Sequence, residues 1–305
     1  MPRRQGAKGA GRGDLGIFVD FTLQAQARHG TRLANVKVEP VEAARMTLSD
    51  LDVARRLADA ARSAILPHFR QAATTADNKL DEGFDPVTIA DRAAEEAMRA
   101  VLAELRPEDG ILGEEFAPTS GTSGRTWVLD PIDGTRGFIS GTPTWGVLIA
   151  LSTETGPILG VIDQPYIGER FEGTRDHAQV VGPHGTRSLL TRETSDLGEA
   201  ILFTTFPEVG TSEERSRFEQ VARQVKLTRY GMDCYAYALL AAGTVDLVIE
   251  AGLKAYDIQA PIAVIEAAGG IVTDWEGNPA HNGGRALAAA NKDIHAAALA
   301  ALKVS

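Results

Sequence analysis

Carboxylates recur along this chain in four clusters placed where apolar runs end or helices should begin. They are Asp91 in VTIAD, Glu114 and Glu115 in GEE, Asp130 and Asp133 in DPIDGT, and Asp257 in AYDIQAP. Asp130 directly closes the apolar run WVL, and Asp257 stands between an apolar strand-like run and a helix-like one. Charges packed that close to a core are costly unless a cation or a hydrogen-bond network compensates them. Hard oxygen ligands with no accompanying His or Cys favour Mg²⁺ over Zn²⁺ or copper, and Mg²⁺ keeps waters and completes its shell with substrate phosphate. Within DPIDGT, Pro131 stiffens the chain between the aspartates and Gly134 lets the backbone approach a ligand. If a helix starts there, the amides of Gly134 and Thr135 form a phosphate site. One Asp-x-x-Asp is most often a surface turn; several linked positions are a stronger signal.

The elements that must position these acids can be read from periodicity. After Met46, Ser49 caps a helix through TLSDLDVARRLADAARSAILPHF, with Val53, Leu57, Ala61, Ala64 and Ile65 on one face. A polar, flexible segment, TTADNKLDEGFDP, leads to a second helix whose stripe is Ala94, Met98, Val101, Leu102 and Leu105. Both helices are expected to precede the first strand. From Ile111 the short apolar runs ILGEE, TWVLDP, TWGVLIALS and PILGVIDQP, with the alternating ERFEGTRD, predict a sheet that is antiparallel in part. From Ala200 strand-like and helix-like runs alternate, ending in the strand ALAAAN and a helix from Ile294 to Leu302. That alternation implies a layered α/β sandwich of mixed α+β character, with an expected subdomain of residues 46–195 holding most of the acids and another of 196–305 holding Asp257.

Bulk properties bound the function. The 305 residues are 44% apolar and 24% charged, enough for a sizeable core. A formal charge of −10 speaks against a nucleic-acid partner, and no run of eighteen apolar residues exists to span a bilayer. The single cysteine, Cys234, excludes an internal disulfide framework, so a cytoplasmic location is expected. Residues 1–45 hold eight Lys and Arg against four Asp and Glu, a net of +4 that leaves −14 for Met46–Ser305. They read as a disordered or non-native extension, with Met46 an alternative start, rather than as a signal peptide, because Asp20 interrupts LGIFVDFTL.

GEE, WVLDPIDGT and the late strand-Asp-helix element resemble the signatures of the inositol monophosphatase superfamily, from Leu48 to the carboxyl terminus. The resemblance implies a five-layered αβαβα sandwich, usually a homodimer. It implies two or three Mg²⁺ ions held by Glu114, Asp130, the Ile132 carbonyl, Asp133 and Asp257, with Glu115 supporting. Asp91 and Thr135 match the pair that orients and deprotonates the attacking water, and Lys79 matches a basic residue on a loop near the metals. The reaction implied is in-line attack of activated water on a phosphate monoester, with no phosphoenzyme; neither a P-loop nor a nucleophile elbow is present.

After DPIDGT the chain reads RGFISGTPTWGVLIAL, without the histidine common in inositol phosphatases, and the usual Trp-Asp is Tyr256-Asp257. FISG and GMDCYAY are instead similar to histidinol-phosphate phosphatases of the superfamily. Their substrate carries an amine and an imidazole, so its pocket should hold a carboxylate. Asp233 and Glu250 are the candidates, although Asp233 could simply cap a helix and Glu250 end a strand in solvent. Arg136 and Arg229 could meet phosphate or an acid, and Tyr235, Tyr237 and Trp145 could wall the imidazole, although such aromatics are more often core. The rival substrates are inositol-1-phosphate and a 3′-phosphoadenosine nucleotide, and the rival class is a non-catalytic regulatory protein. Cys234 reads as a buried small hydrophobe and the histidines as scattered.

Overall fold

The computed structural model describes residues 48–71, 76–78 and 86–303. The amino-terminal extension and Lys79 lie outside the described residues. Seven α-helices are present among them: α1 (Asp50–Ile65), α2 (Ile89–Leu105), α3 (Thr135–Ser140), α4 (Ser212–Ala222), α5 (Tyr235–Ala241), α6 (Ala255–Ala267) and α7 (Lys292–Leu302).

Strands β3 (Gly110–Gly113), β4 (Thr126–Asp133), β5 (Gly146–Thr153), β6 (Gly156–Gln164), β7 (Glu169–Thr174), β8 (His177–Gly182) and β9 (Gly185–Ser188) form one seven-stranded sheet in sequential order. Only β3 and β4 are parallel; every later pair is antiparallel, as short hairpin connections demand. The second sheet has the order β11-β10-β12-β14-β13, from β10 (Ile201–Thr204), β11 (Leu227–Tyr230), β12 (Leu247–Leu253), β13 (Ile271–Thr273) and β14 (Gly284–Ala289). Here β10 runs parallel to β11 and β12, because helices α4 and α5 make the crossovers, while β14 is antiparallel to both its neighbours.

Side-chain alternation sorts the core into layers. On β4 and β5, Trp127, Leu129, Val147, Ile149 and Leu151 face α1 and α2, whereas Val128, Leu148 and Ala150 face α5 and α6. On β12, Val248 joins that same central layer, while Leu247 and Ile249 turn outward to α4 and α7. The stack is therefore α1α2, sheet, α5α6, sheet, α4α7: the five-layered αβαβα sandwich. Ser49 caps α1, accepting from the Asp52 amide at 3.2 Å, and Val53, Leu57, Ala61 and Ile65 are buried as the sequence predicts.

Five strands depart from the sequence reading, among them β8 and β9, which follow the last run read in this sheet, ERFEGTRD. Ala76–Asn78 (β1), inside the stretch read as polar and flexible, pairs antiparallel with Pro86–Thr88 (β2), which runs from the last residue of that stretch into the start of the predicted second helix, so two short strands stand before α2. Pairing needs only extended backbone with free N–H and C=O groups, which a polar sequence supplies without an apolar signal. β11 went unread for a related reason, since its Leu227, Arg229 and Tyr230 are exposed on a sheet edge and show no buried face.

Candidate active site

The acids converge where β4 leaves its sheet. In β4 the ladder with β5 is regular from Thr126 to Asp130 and then skips to Asp133, so Pro131 and Ile132 bulge out of the pairing. The bulge turns both Asp130 and Asp133 toward one cavity. The Ile132 amide donates to Asp130 Oδ1 at 3.1 Å, and the Thr135 hydroxyl donates to the Ile132 carbonyl at 3.2 Å. Gly134 follows at φ +86°, and a Cβ there would stand 2.7 Å from the Asp233 Cβ; no other residue fits this turn.

Asp257 arrives from the third residue of α6, its Oδ2 accepting from the Lys254 amide at 2.6 Å. Single carboxylate oxygens of Asp130, Asp133 and Asp257 lie within 4.8 Å of one another, a set able to hold a cation. Asp130 is 1% exposed, and Asp133 and Asp257 are half-buried. Burial first, then repulsion from Glu114 and the other aspartates, pushes Asp130 well above the usual carboxylate range. Asp133 is raised well above it too, by burial and by Asp257 and Asp233. Burial lifts Asp257 to about 6 against the opposing Lys254 amide. A hard dication fits this all-oxygen set and would offset the mutual repulsion of its carboxylates.

Asp91, on α2, feels the charge of Glu114 but does not line the cavity beside the acids. Its Oδ2 accepts from the Thr88 amide at 2.8 Å and the Thr88 hydroxyl at 2.6 Å, while the buried Oδ1 has no partner among the described residues. Desolvation outweighs those two bonds and lifts Asp91 to about 6. The threonine bonded to Asp91 is its own helix cap, Thr88, while Thr135 bonds the Ile132 carbonyl. Thr88 was legible as the first residue of a T-x-x-D cap but was not singled out.

A cavity of about 300 Å³ opens beside the acids, lined by Glu114, Asp130, Ile132, Asp133, Gly134, Thr135, Arg136, Asp233, Glu250 and Asp257 among the anticipated residues. Glu115 and Arg229 are not in its wall; Arg229 is exposed on the edge strand β11. Asp233 adopts φ +45°, strained for a side chain with a Cβ, and its Oδ2 accepts from the Thr144 hydroxyl at 2.7 Å. The carboxylate therefore turns toward the cavity instead of capping α5, whose first residues show no side-chain cap. Glu250 is 7% exposed, not at a solvent-facing strand end; its Oε1 accepts from the Thr205 amide at 2.7 Å and hydroxyl at 2.9 Å, and burial lifts it to about 7.

Among the aromatics anticipated from the sequence, only Tyr237 lines the cavity; its buried hydroxyl has no partner among the described residues. Trp145 packs on Phe69 and Phe138 with centroids 5.1 Å from each, and Tyr235 donates its hydroxyl to Glu169 at 2.5 Å. Neither lines the cavity, because alternation along the chain turns them into separate apolar layers. Thr205 and Phe206, in the wall just past β10, were missed. Their only signal was their place after the apolar run ILF. Cys234 is buried and donates its amide to Asp133 Oδ2 at 2.7 Å.

The chain shares this architecture with known proteins. It is 41% identical, over 82% of its length and 74% of the relative's, to the chloroplastic bifunctional phosphatase IMPL2 of Arabidopsis thaliana. It is 37% identical to a histidinol-phosphatase of Streptomyces coelicolor, over 81% and 94% of the two chains. Among solved structures, an inositol monophosphatase from Zymomonas mobilis superposes with a TM-score of 0.74 at 43% identity, covering 84% of this chain and 98% of that one. The model of the inositol monophosphatase family matches residues 48–305, and the chain belongs to that family.

Proposed function

We propose that the chain is a Mg²⁺-dependent phosphomonoesterase that hydrolyses L-histidinol phosphate to L-histidinol and phosphate. The observation that carries the reading is the pairing, in one cavity, of a carboxylate set able to hold a cation with two further acids, the half-buried Asp233 and the buried Glu250, that a metal does not need. The relatives named as histidinol-phosphatases support the same substrate.

Glu114, Asp130, the Ile132 carbonyl, Asp133 and Asp257 would hold the Mg²⁺ ions, with Glu115 behind Glu114. When bound, Mg²⁺ supplies Lewis acidity, making water more acidic and neutralising charge that develops on the leaving oxygen. Asp91 offers its unpartnered Oδ1 as acceptor for the proton of the attacking water, and Thr88 holds that carboxylate in one orientation. Thr135 fixes the Ile132 carbonyl, and Gly134 and Thr135 border the phosphate. Asp233 and Glu250 accept from the ammonium and imidazole, with Arg136, stacked 4.9 Å over the Phe206 ring, near Asp233 at the mouth. Cytoplasmic placement and a homodimeric state complete the proposal; no helix of the described residues is long and apolar enough to cross a membrane.

The test is phosphate release from histidinol phosphate, inositol-1-phosphate and 3′-phosphoadenosine 5′-phosphate, each with Mg²⁺ and with chelator. Magnesium-dependent preference for histidinol phosphate is expected. Preference for another ester would remove the substrate while leaving the chemistry, and no turnover at all would remove both. Within the same assay Asp233→Asn should raise KM for histidinol phosphate about tenfold, the value of a hydrogen bond to a charged group, and leave an ester without an amine unchanged. Equal effects on both esters would retire its amine-binding role.

A further inference from the structure

Glu95 has no place in the cavity wall, yet it is a carboxylate with 0% exposure in the middle of α2. It lies one helical turn after Asp91, on the same face, since residues four apart stack along a helix. Its Oε2 accepts from the Glu115 amide at 2.7 Å, and its Oε1 accepts from Arg99 Nε at 2.8 Å. Arg99 in turn donates to the carbonyls of Phe116 and Ala117, both at 3.2 Å, and to the Thr119 hydroxyl at 3.1 Å. The segment after β3 that carries Glu114 is thus tied at four of its residues to one buried ion pair. The fit is close. A Cβ on Gly113 would fall 1.9 Å from Glu95 Oε1, so the carboxylate occupies the space where β3 has no side chain.

Burying a carboxylate for packing alone is unfavourable, and an apolar side chain would fill this space at lower cost. What the charge adds is direction. An acceptor fixed by Arg99 holds the Glu115 amide, and with it the backbone of Glu114, at a set distance from Asp91 one turn earlier on the same rigid helix. Asp91 and Asp130 both feel the charge of Glu114 from that position. We propose that Glu95, braced by Arg99, is a positioning residue for cation binding: it touches none of the cation's expected oxygens but sets where Glu114 presents its own. The inference rests on the reading of Glu114 as a cation ligand and goes beyond it, placing control of cation affinity outside the cavity.

The experiment is calorimetric titration of the chelator-treated full chain with Mg²⁺, followed by steady-state assays across Mg²⁺ concentration. Glu95→Ala should weaken Mg²⁺ binding about tenfold, the size of loss seen when a group supporting a metal ligand is removed. At saturating Mg²⁺, kcat and the KM for the ester should stay within about twofold of the unaltered chain, because the loss lies in cation binding alone. Glu95→Gln keeps an acceptor for the Glu115 amide and loses only the charge facing Arg99, so its loss should be smaller, about threefold; it also serves if the alanine variant does not fold. Met98→Ala, a buried core truncation on the same helix, should lower the Tm without changing Mg²⁺ affinity. Unchanged affinity in both Glu95 variants, or an equal loss in Met98→Ala, would overturn the proposal. An unaltered chain that binds no Mg²⁺ would overturn the metal reading and this inference with it.

Discussion

Asp130 illustrates how far a single residue could be read and where reading stopped. Its place at the end of WVL identified it as an acid near the core, and its side chain is indeed 1% exposed. The neighbours that make it costly, Glu114 and Asp257, come from segments distant in sequence and were joined to it only by a family resemblance. Asp130→Asn keeps an acceptor for the Ile132 amide and removes one of the crowded charges. We expect phosphate release to fall by about a thousandfold or more, the several kcal/mol that a correctly held cation supplies. The metal-free Tm should be equal or higher, because a repulsive charge is gone. Near-normal turnover would sink the metal assignment, and a large fall in metal-free Tm would sink the repulsion argument. Tyr235 and Trp145 went the other way: aromatic type suggested a ligand wall, while their neighbours place them among apolar and edge contacts instead.

At the scale of elements, periodicity located α1, α2 and the strands with a buried face, because each buries one side against another layer. It does not locate β9 and β11, which are exposed along most of their length, nor β1, β2 and β8. The central helix α6 shows a further property that no one-dimensional pattern reveals. It is buried on nearly all sides between two sheets, and it presses so closely on β6 and β7 that only glycines fit beneath it. A Cβ on Gly173 would lie 2.5 Å from the Val264 Cα and 2.6 Å from the Ala263 carbonyl, both backbone atoms that cannot step aside. Gly173→Ala should therefore lower stability by about 2–3 kcal/mol in denaturant unfolding, as overpacking of a tight core does. A neutral result would mean that α6 can shift outward, and since α6 carries Asp257 such a shift would show as weaker Mg²⁺ binding.

For the whole molecule, the cluster of raised acids makes stability depend on pH and cation together. Asp91 and Asp257 are lifted to about 6 and Glu250 to about 7, and burial and mutual repulsion raise Asp130 and Asp133 well above the ordinary range. Between the ordinary carboxylate range near 4 and about 7, the folded chain holds protons that the unfolded chain has released, so metal-free stability falls as pH rises through that window. Acids lowered by hydrogen bonds and ion pairs, such as Asp52, Glu172 and Asp274, act only below it, losing their contribution as pH falls. The metal-free Tm should thus peak near pH 4, where the two effects meet, and drop by a few degrees, roughly 3–5 °C, between pH 5 and pH 8. Mg²⁺ should raise the Tm more at pH 8 than at pH 5, because at the lower pH protons occupy the same oxygens. Scanning calorimetry at both values decides: a metal-free Tm that climbs from pH 5 to pH 8 would contradict the electrostatics of the site.

The sequence by itself determined the order of helices and of most strands, the mixed α and β layering, and a set of acids suited to a hard cation. These follow from local quantities: hydrophobic period, capping residues, and the chemistry of side chains. Tertiary structure alone decided that Asp233 turns into the cavity while Arg229 lies outside its wall. It also decided that Thr205 and Phe206 complete the wall and that Glu95 reaches the loop of Glu114. Each of these depends on a close approach between segments far apart along the chain. The energy of such a contact lies in packing and desolvation at the place of meeting, which no spacing within one segment records.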